Sequence, residues 1–265
     1  MINTSTNLIS FQNHYNYSKD KQFENEIVVL QPKVKYNKDG SVKKTHSNKI
    51  KGKDSEVFAF KTKEEISLML SVFDKHIQDA STELRRKIAW RNKLLFLIGI
   101  NVGVRGSDLC QLKWKDFFYD NMEFKDTYRF QPQKTKNQGK FVRLYYNNTV
   151  KGVISEYVKQ FPIDDLEDYI FFSQKEPYIS RMSAGRIIKD AADECDLKQN
   201  INSHSFRKTW AYHVWHEAED KQKALVLLQF CFNHSSTVTT MKYIGILDDD
   251  IKEVYNGIEL GFDSI

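Results

Sequence analysis

Four short blocks of this sequence carry side chains that grip anions or move protons. In Gly103-Val104-Arg105-Gly106-Ser107-Asp108-Leu109 an arginine stands between an apolar helical run and the start of another helix. Its planar fork is placed either to meet a phosphate or to pair with Asp108 and nearby carbonyls. In Gln133-Lys134-Thr135-Lys136-Asn137 two lysines occupy a polar stretch between two alternating segments, where ammonium groups are commonly just solvated. In His204-Ser205-Phe206-Arg207 the i and i+3 positions put imidazole and guanidinium on one helical face. That pair suits an anion better than a metal ion, because arginine repels cations; the alternative is an ordinary surface pair. The fourth block, Phe232-Asn233-His234-Ser235-Ser236, reads as the opening of a helix, with Tyr243 nine positions after His234. The chain has 13 tyrosines and most must serve packing, so Tyr243 acquires a chemical reading only in company with the other three blocks.

The elements that position these blocks are mostly helices. Thr62-Lys63-Glu64-Glu65 has capping-box spacing, with Ile66, Leu68, Leu70, Val72 and Phe73 as the following apolar positions. A second helix is expected from about Thr82 to Val102; its end, through Leu94, Leu95, Leu97 and Ile98, is apolar nearly all round and belongs in a core. Gly103 then makes a turn into a short helix capped by Ser107. Thr127–Gln131 and Lys140–Tyr145 alternate and read as a β-hairpin with Lys134–Gly139 at its tip. Further helices are expected at about 149–160, 180–194, 205–217, 221–231 and 248–259, with a short strand at Tyr169–Phe172. The class is mainly α with a small antiparallel β-sheet, an α+β fold.

Hydrophobic residues make up 40% of the 265 positions, enough for a packed core, which excludes wholesale disorder. No apolar run approaches the roughly 18 residues of a membrane span, and Met1-Ile2-Asn3-Thr4 lacks the basic-then-apolar start of a secretory signal. Cys110, Cys195 and Cys231 are odd in number and scattered, which argues against a disulfide framework or a zinc site and for a reducing cytoplasm. The formal charge of +5 is unevenly placed: Lys33, Lys35, Lys38, Lys43, Lys44, Lys49, Lys51 and Lys53 face only Asp39 between Gln31 and Lys53. That segment therefore holds +7, and the remainder of the chain is net −2. Residues 1–55 read as a polar, basic extension with at most one hairpin, either a solvated leader or an arm that touches a polyanion. Residues 56–265 form the folded domain with its C-terminal helix.

In order and context the four blocks resemble the catalytic domain of the tyrosine recombinase, or phage integrase, family over about residues 57–260. The residues that carry the resemblance are the Gly-x-Arg-x-Ser-Asp-Leu-x-x-Leu-x-Trp block from Gly103 to Trp114, His204-Ser205-Phe206-Arg207, and His234-Ser235-Ser236 followed by Thr239-Thr240-x-x-Tyr243. Asn233 stands where the family usually has glycine, and Phe206 where leucine is commoner; both are tolerable.

The resemblance implies a site-specific DNA recombinase or integrase that cleaves and rejoins strands through a 3′-phosphotyrosine, mobilising a phage or other mobile element. Tyr243 would attack the scissile phosphate and release a 5′-hydroxyl, storing the bond energy covalently, so neither ATP nor a metal or other cofactor is expected. A phenol with an ordinary pKa near 10 is about one part in a thousand ionised at neutral pH, so the site must favour loss of its proton. Arg105 and Arg207 would meet the non-bridging oxygens as charge builds there. His204 would assist proton movement or bond the phosphate, and His234 would hold a non-bridging oxygen. Lys134, preferred over Lys136, would protonate the departing 5′-oxygen. Asp108 is expected to orient the site. The partner implied is double-stranded DNA, bound by a tetramer of a protein that is monomeric when free, in the cytoplasm at the nucleoid, with no membrane.

Family members also carry a four-helix core-binding domain ahead of the catalytic one, and the polar residues before the capping box are too few for it. Either that domain is absent from this sequence or the basic extension replaces it in part, and the start at Met1 leans toward a native beginning. Two rivals stay open on sequence alone: a type IB topoisomerase, which shares these residue types, and a DNA-binding regulator with a disabled site.

Overall fold

The structure, a computed structural model, describes residues 57–139 and 141–257. The basic extension with Lys33, Lys35, Lys38, Lys43, Lys44, Lys49, Lys51 and Lys53 lies outside them, as do the last positions expected in the terminal helix.

Helix α1 (Lys63–Gln78) begins at the expected capping box. Glu65 N–H donates to Thr62 Oγ1 at 3.1 Å, and the Glu65 carboxylate takes the Thr62 N–H at 3.2 Å. Helix α2 (Glu83–Val102) starts at Thr82, whose hydroxyl accepts from Arg85 N–H at 3.2 Å. Leu94, Leu95, Phe96 and Ile98 are fully buried, as an all-round apolar stretch requires. The helix stops at Gly103, which adopts φ +63°; a Cβ there would lie 2.2 Å from the Trp210 ring. Any other residue would therefore meet both the left-handed penalty and a ring already in place.

Helix α3 (Gly106–Leu109) differs from expectation in its cap. Arg105, not Ser107, holds the N-cap position, in extended backbone and without a side-chain cap. The chain turns helical one residue after Arg105, so Ser107 is already inside the turn and the arginine side chain is left off the helix.

A two-stranded antiparallel ribbon follows, β1 (Thr127–Phe130) and β2 (Val142–Tyr145), with Arg129 opposite Arg143 and Tyr128 opposite Leu144. Its tip, Gln133–Gln138, winds into 3₁₀ turns. Tyr128, Phe130, Val142 and Leu144 alternate onto the core side, as a half-buried ribbon demands. The strand expected at Tyr169–Phe172 reduces to an isolated bridge between Tyr169 and Lys113. Trp114 N–H reaches the Asp168 carbonyl and Ile170 N–H the Leu112 carbonyl, both at 3.1 Å, but the chain turns away after residue 170, so no ladder extends.

The remaining helices are α4 (Asn148–Gln160), α5 (Arg181–Glu194), α6 (Ser203–His216), α7 (Lys221–Phe232), α8 (Thr237–Ile244) and α9 (Leu247–Asn256). Helix α6 starts two residues before the expected 205 because Asn202 and Ser205 build a capping box. Helix α2 is the central strut, packed on α1, α4 and α6. Phe206 of α6 is fully buried against it: a Cβ on Gly99 would sit 2.7 Å from the Phe206 ring, so only glycine lets the two helices approach this closely. The end of the chain has its own small core, in which Ala211, Leu228, Phe232, Ile244 and Ile246 are buried together. Helix α8 is thus seated on α6 and α7 rather than in the main core. Among the described residues, no helix is long and apolar enough to cross a membrane.

Candidate active site

Arg207 is the hub. Buried on α6, it donates from Nη1 to the Gly103 carbonyl at 2.8 Å and from Nη2 to the Cys231 carbonyl at 3.4 Å. Its guanidinium carbon lies 4.0 Å from the centre of the Phe232 ring. Two carbonyls and an aromatic face orient the fork without neutralising it, and burial lowers its pKa to about 10. The glycine turn that ends α2 therefore serves the site directly, since its carbonyl holds the arginine.

Arg105, half-buried on the stretch between α2 and α3, is close enough to interact electrostatically with Arg207, Asp108, both histidines and Tyr243. Two cations this close suit an anion between them. Asp108 is buried beside them and accepts the Gln133 N–H at 3.0 Å. Burial raises its pKa, against the Gln133 bond and the two arginines, which lower it. This one carboxylate ties the ribbon tip to the arginine pair.

Tyr243 is the last residue but one of α8. Its ring packs edge-on to Phe232 and His234, with centroids 5.1 and 5.4 Å away, and the Arg207 guanidinium lies close enough to its hydroxyl to favour the phenolate. Burial raises the phenol pKa; Arg207 and then Arg105 pull it back down. His234 is half-buried between α7 and α8, and its Nδ1 lies 3.0 Å from Thr240 Oγ1. Thr240 Oγ1 also lies 3.4 Å from the Ser236 carbonyl, so this hydrogen-bond pattern assigns Nδ1–H as donor to the threonine and leaves Nε2 facing outward. Burial, with Arg207 and Arg105, lowers the His234 pKa. The helix opens at Thr237, with Ser236, the last residue of the Asn-His-Ser-Ser stretch, as its cap. Asn233 instead closes α7 at φ +56°, a conformation asparagine tolerates, which accounts for its standing in a glycine position.

His204 is exposed at the start of α6, with Nε2 3.3 Å from Arg181 Nη1 of α5. Although the residue as a whole is exposed, partial desolvation of its ring and then Arg181, Arg207, Lys208 and Arg105 lower its pKa, favouring the neutral ring. The structure therefore brings together Arg105, His204, Arg207, His234 and Tyr243. Lys134 and Lys136 are both exposed at the ribbon tip. Lys134 adjoins the Gln133 fixed to Asp108, whereas the Lys136 carbonyl receives Gln131 Nε2 at 2.9 Å. Sequence reasoning missed four contributors: Gln133, Arg181, Thr240 and Lys208, the last buried with its ammonium 5.7 Å from the Tyr243 ring centre. Only Lys208 left a signal, as a third basic group one helical turn from His204. Among the described residues, no three His, Cys, Asp or Glu side chains come together to hold a metal ion.

Comparison with known proteins gives a consistent result. The chain matches the model of the Phage integrase family over residues 60–249. It is 36% identical over 167 residues to the probable integrase/recombinase YoeC of Bacillus subtilis, an overlap that takes in 62% of this chain and 83% of that one. It is 30% identical over 88 residues to tyrosine recombinase XerD of Corynebacterium glutamicum, covering 33% of this chain and 28% of the relative. Among solved structures, XerA recombinase superposes with a TM-score of 0.53 at 19% identity, over 76% of this chain and 66% of that one. XerH recombinase, in a post-cleavage complex with a palindromic difH substrate, superposes with a TM-score of 0.51 at 19% identity, over 78% and 55%. The chain thus spans most of YoeC but only part of the Xer proteins.

Proposed function

Because the chain belongs to the phage integrase family, we propose that it cuts and rejoins DNA strands at specific sites, with Tyr243 as nucleophile. The observation that carries this reading is the gathering of Arg105, Arg207 and His234 around Tyr243, the two arginines acting on its hydroxyl and His234 packed against its ring. The tyrosine Oη attacks phosphorus, the bond to the 5′-oxygen breaks, and a 3′-phosphotyrosine forms. The reverse attack by a 5′-hydroxyl reseals a strand and frees the enzyme. Arg105 and Arg207 bind the non-bridging oxygens, where one preorganised donor contributes about two to three orders of magnitude in rate. His234 Nε2 bonds one of the same oxygens. Neutral His204 takes the phenolic proton, and Lys134 delivers one to the 5′-oxygen, which leaves poorly as an alkoxide.

The same reading extends to double-stranded DNA as the substrate, to mobilisation of a phage or other mobile element, and to a tetramer assembled on DNA from free monomers. Exposed Val254 and Tyr255 on α9 are available for protomer contacts. The basic lysines of the extension serve as an arm along the phosphates.

The test is covalent trapping on a nicked suicide duplex. The full chain should form a protein–DNA adduct, and Tyr243→Phe should bind the duplex but form none. An adduct with the phenylalanine variant removes Tyr243 as nucleophile. Relaxation of supercoiled DNA lacking any specific site would move the reading toward swivelling topoisomerase chemistry.

A further inference from the structure

The β1–β2 ribbon has an outer face that folding alone does not explain. Its register sets Arg129 directly opposite Arg143, both exposed. Directly opposed residues have Cβ atoms about 5 Å apart, and like charges so placed destabilise a ladder. Among the described residues, neither arginine belongs to an ion pair. The Arg129 guanidinium carbon instead lies over the Phe141 ring, 4.2 Å from its centre, on the same face. Phe141 and Tyr145 are 53% and 67% exposed there, while the opposite face already supplies the apolar contacts that seat the ribbon.

The position of this face limits what can occupy it. At one end the ribbon tip is fixed to Asp108 through Gln133. Along its length, β2 lines a groove of about 410 Å³ whose far wall includes Gly103 and Arg207. An extended polyanion gripped at Arg207 would therefore run on past the ribbon, and guanidinium forks match phosphate oxygens in a way that ammonium groups do not.

We infer that Arg129 and Arg143 form a clamp on the DNA backbone, holding phosphates beside the one presented to Tyr243. The inference rests on the strand-transfer reading above. The opposed pair is unfavourable in the free protein and is relieved when each fork takes a phosphate. Phe141 keeps the Arg129 plane turned outward, and the exposed aromatic rings give the adjoining sugars a surface to rest on.

The experiment compares the full chain with Arg129→Gln, Arg143→Gln and the double variant. Equilibrium binding to a short duplex of arbitrary sequence is measured across a series of salt concentrations, and thermal unfolding is measured alongside. Every phosphate that is no longer neutralised should lower the slope of log affinity against log salt by about 0.9, so the double variant should lose about two units. The melting temperature should hold or rise, because a like-charge pair has been removed. Arg129→Lys with Arg143→Lys should restore most of the slope. If the wild-type chain binds the duplex and forms its Tyr243 adduct, but the double glutamine variant keeps the full slope, the clamp is wrong and the face serves another partner, such as an acidic protein segment. A wild-type chain that binds no duplex overturns the strand-transfer reading and the clamp together.

Discussion

Asp108→Asn separates charge from shape at the point where the ribbon tip meets the arginines. The carboxylate is buried, accepts the Gln133 N–H at 3.0 Å, and faces Arg105 and Arg207. Asparagine keeps the volume and one acceptor oxygen but replaces a charge-assisted bond by a neutral one. Hydrogen bonds to charged groups contribute about 1.5–3 kcal/mol and neutral ones about 1 kcal/mol, so the tether weakens by about 0.5–2 kcal/mol. If Lys134 is delivered by that tether, strand cleavage should slow roughly 2- to 30-fold. Stability should move the other way. The Asp108 pKa is raised by burial, so the folded state holds its proton more tightly than the unfolded chain does. Its contribution to stability is therefore lost as pH rises from about 4 through the raised folded value, and the asparagine variant should lack that decline. The assay is single-turnover cleavage on two substrates, one with the ordinary 5′-bridging oxygen and one with sulfur in its place. Sulfur leaves without a proton, so the part of the defect that acts through Lys134 should disappear, and the part that acts through the arginines should persist. In a Lys134→Ala background Asp108→Asn should add little, because coupled residues are not additive. Full additivity with Lys134→Ala, together with no rescue by sulfur, would refute the tether.

Other expectations follow from the same contacts. Thr240→Val removes the partner of His234 Nδ1; at about 1 kcal/mol for a neutral hydrogen bond, cleavage should fall roughly 5-fold with little change in duplex binding, and an unchanged rate would count against the assigned tautomer. Arg181→Gln removes one of the cations that lower the His204 pKa, so the acid limb of the cleavage rate should move to higher pH, while Arg181→Lys should leave it near the wild-type position. Gly103→Ala should cost about 2–5 kcal/mol in urea unfolding, from a left-handed alanine and a Cβ driven into Trp210, and a loss below about 1 kcal/mol would mean that the turn relaxes freely. Deleting residues 1–55 should lower the salt slope of duplex binding by several units if the lysines there neutralise phosphates; an unchanged slope returns the segment to a solvated leader.

Local signals in the sequence locate most elements because they are local in the structure. The Thr62 and Thr82 caps, the apolar end of α2 and the alternating ribbon each depend on residues a few positions apart. Expectation and structure part where a distant segment decides. Ser107 has the residue type of a cap, but the cap falls two residues earlier, on Arg105, because Gly106 packs against α6: a Cβ there would lie 2.8 Å from the Ser203 Cβ. Tyr169–Phe172 has strand-like residues but only the three-residue stretch around Lys113 to pair with. The site shows the same division. Arg105, His204, Arg207, His234 and Tyr243 are visible through their blocks, whereas Gln133 acts through its backbone N–H, which no residue type advertises. Arg181 reaches His204 from another helix, across 23 positions of sequence.

On the proposed reading, with Tyr243 as the nucleophile, the charge arrangement also bears on how its proton leaves. In the free protein Arg207 and Arg105 favour the phenolate, but burial outweighs them and the pKa stands above its ordinary value. A bound phosphodiester brings an anion to those same arginines and weakens their pull on the phenol, so substrate binding by itself makes prior ionisation harder. The neutral form of His204 is favoured by partial desolvation of its ring and by four cations, which keeps it ready to accept a proton but makes it a weak base. Complete transfer from a phenol to an imidazole before attack is uphill by the gap between ordinary values of roughly 10 and 6.5, about 5 kcal/mol. The upward shift of Tyr243 and the downward shift of His204 both widen that gap. Proton loss coupled to formation of the bond to phosphorus avoids it, because the entering oxygen becomes more acidic as it bonds and the charge passes to non-bridging oxygens already faced by the two forks. A site that ionised its tyrosine in advance would need a stronger base or a more exposed phenol. The half-buried phenol, the neutral histidine and the Arg207 fork held by carbonyls instead of carboxylates all fit the coupled route.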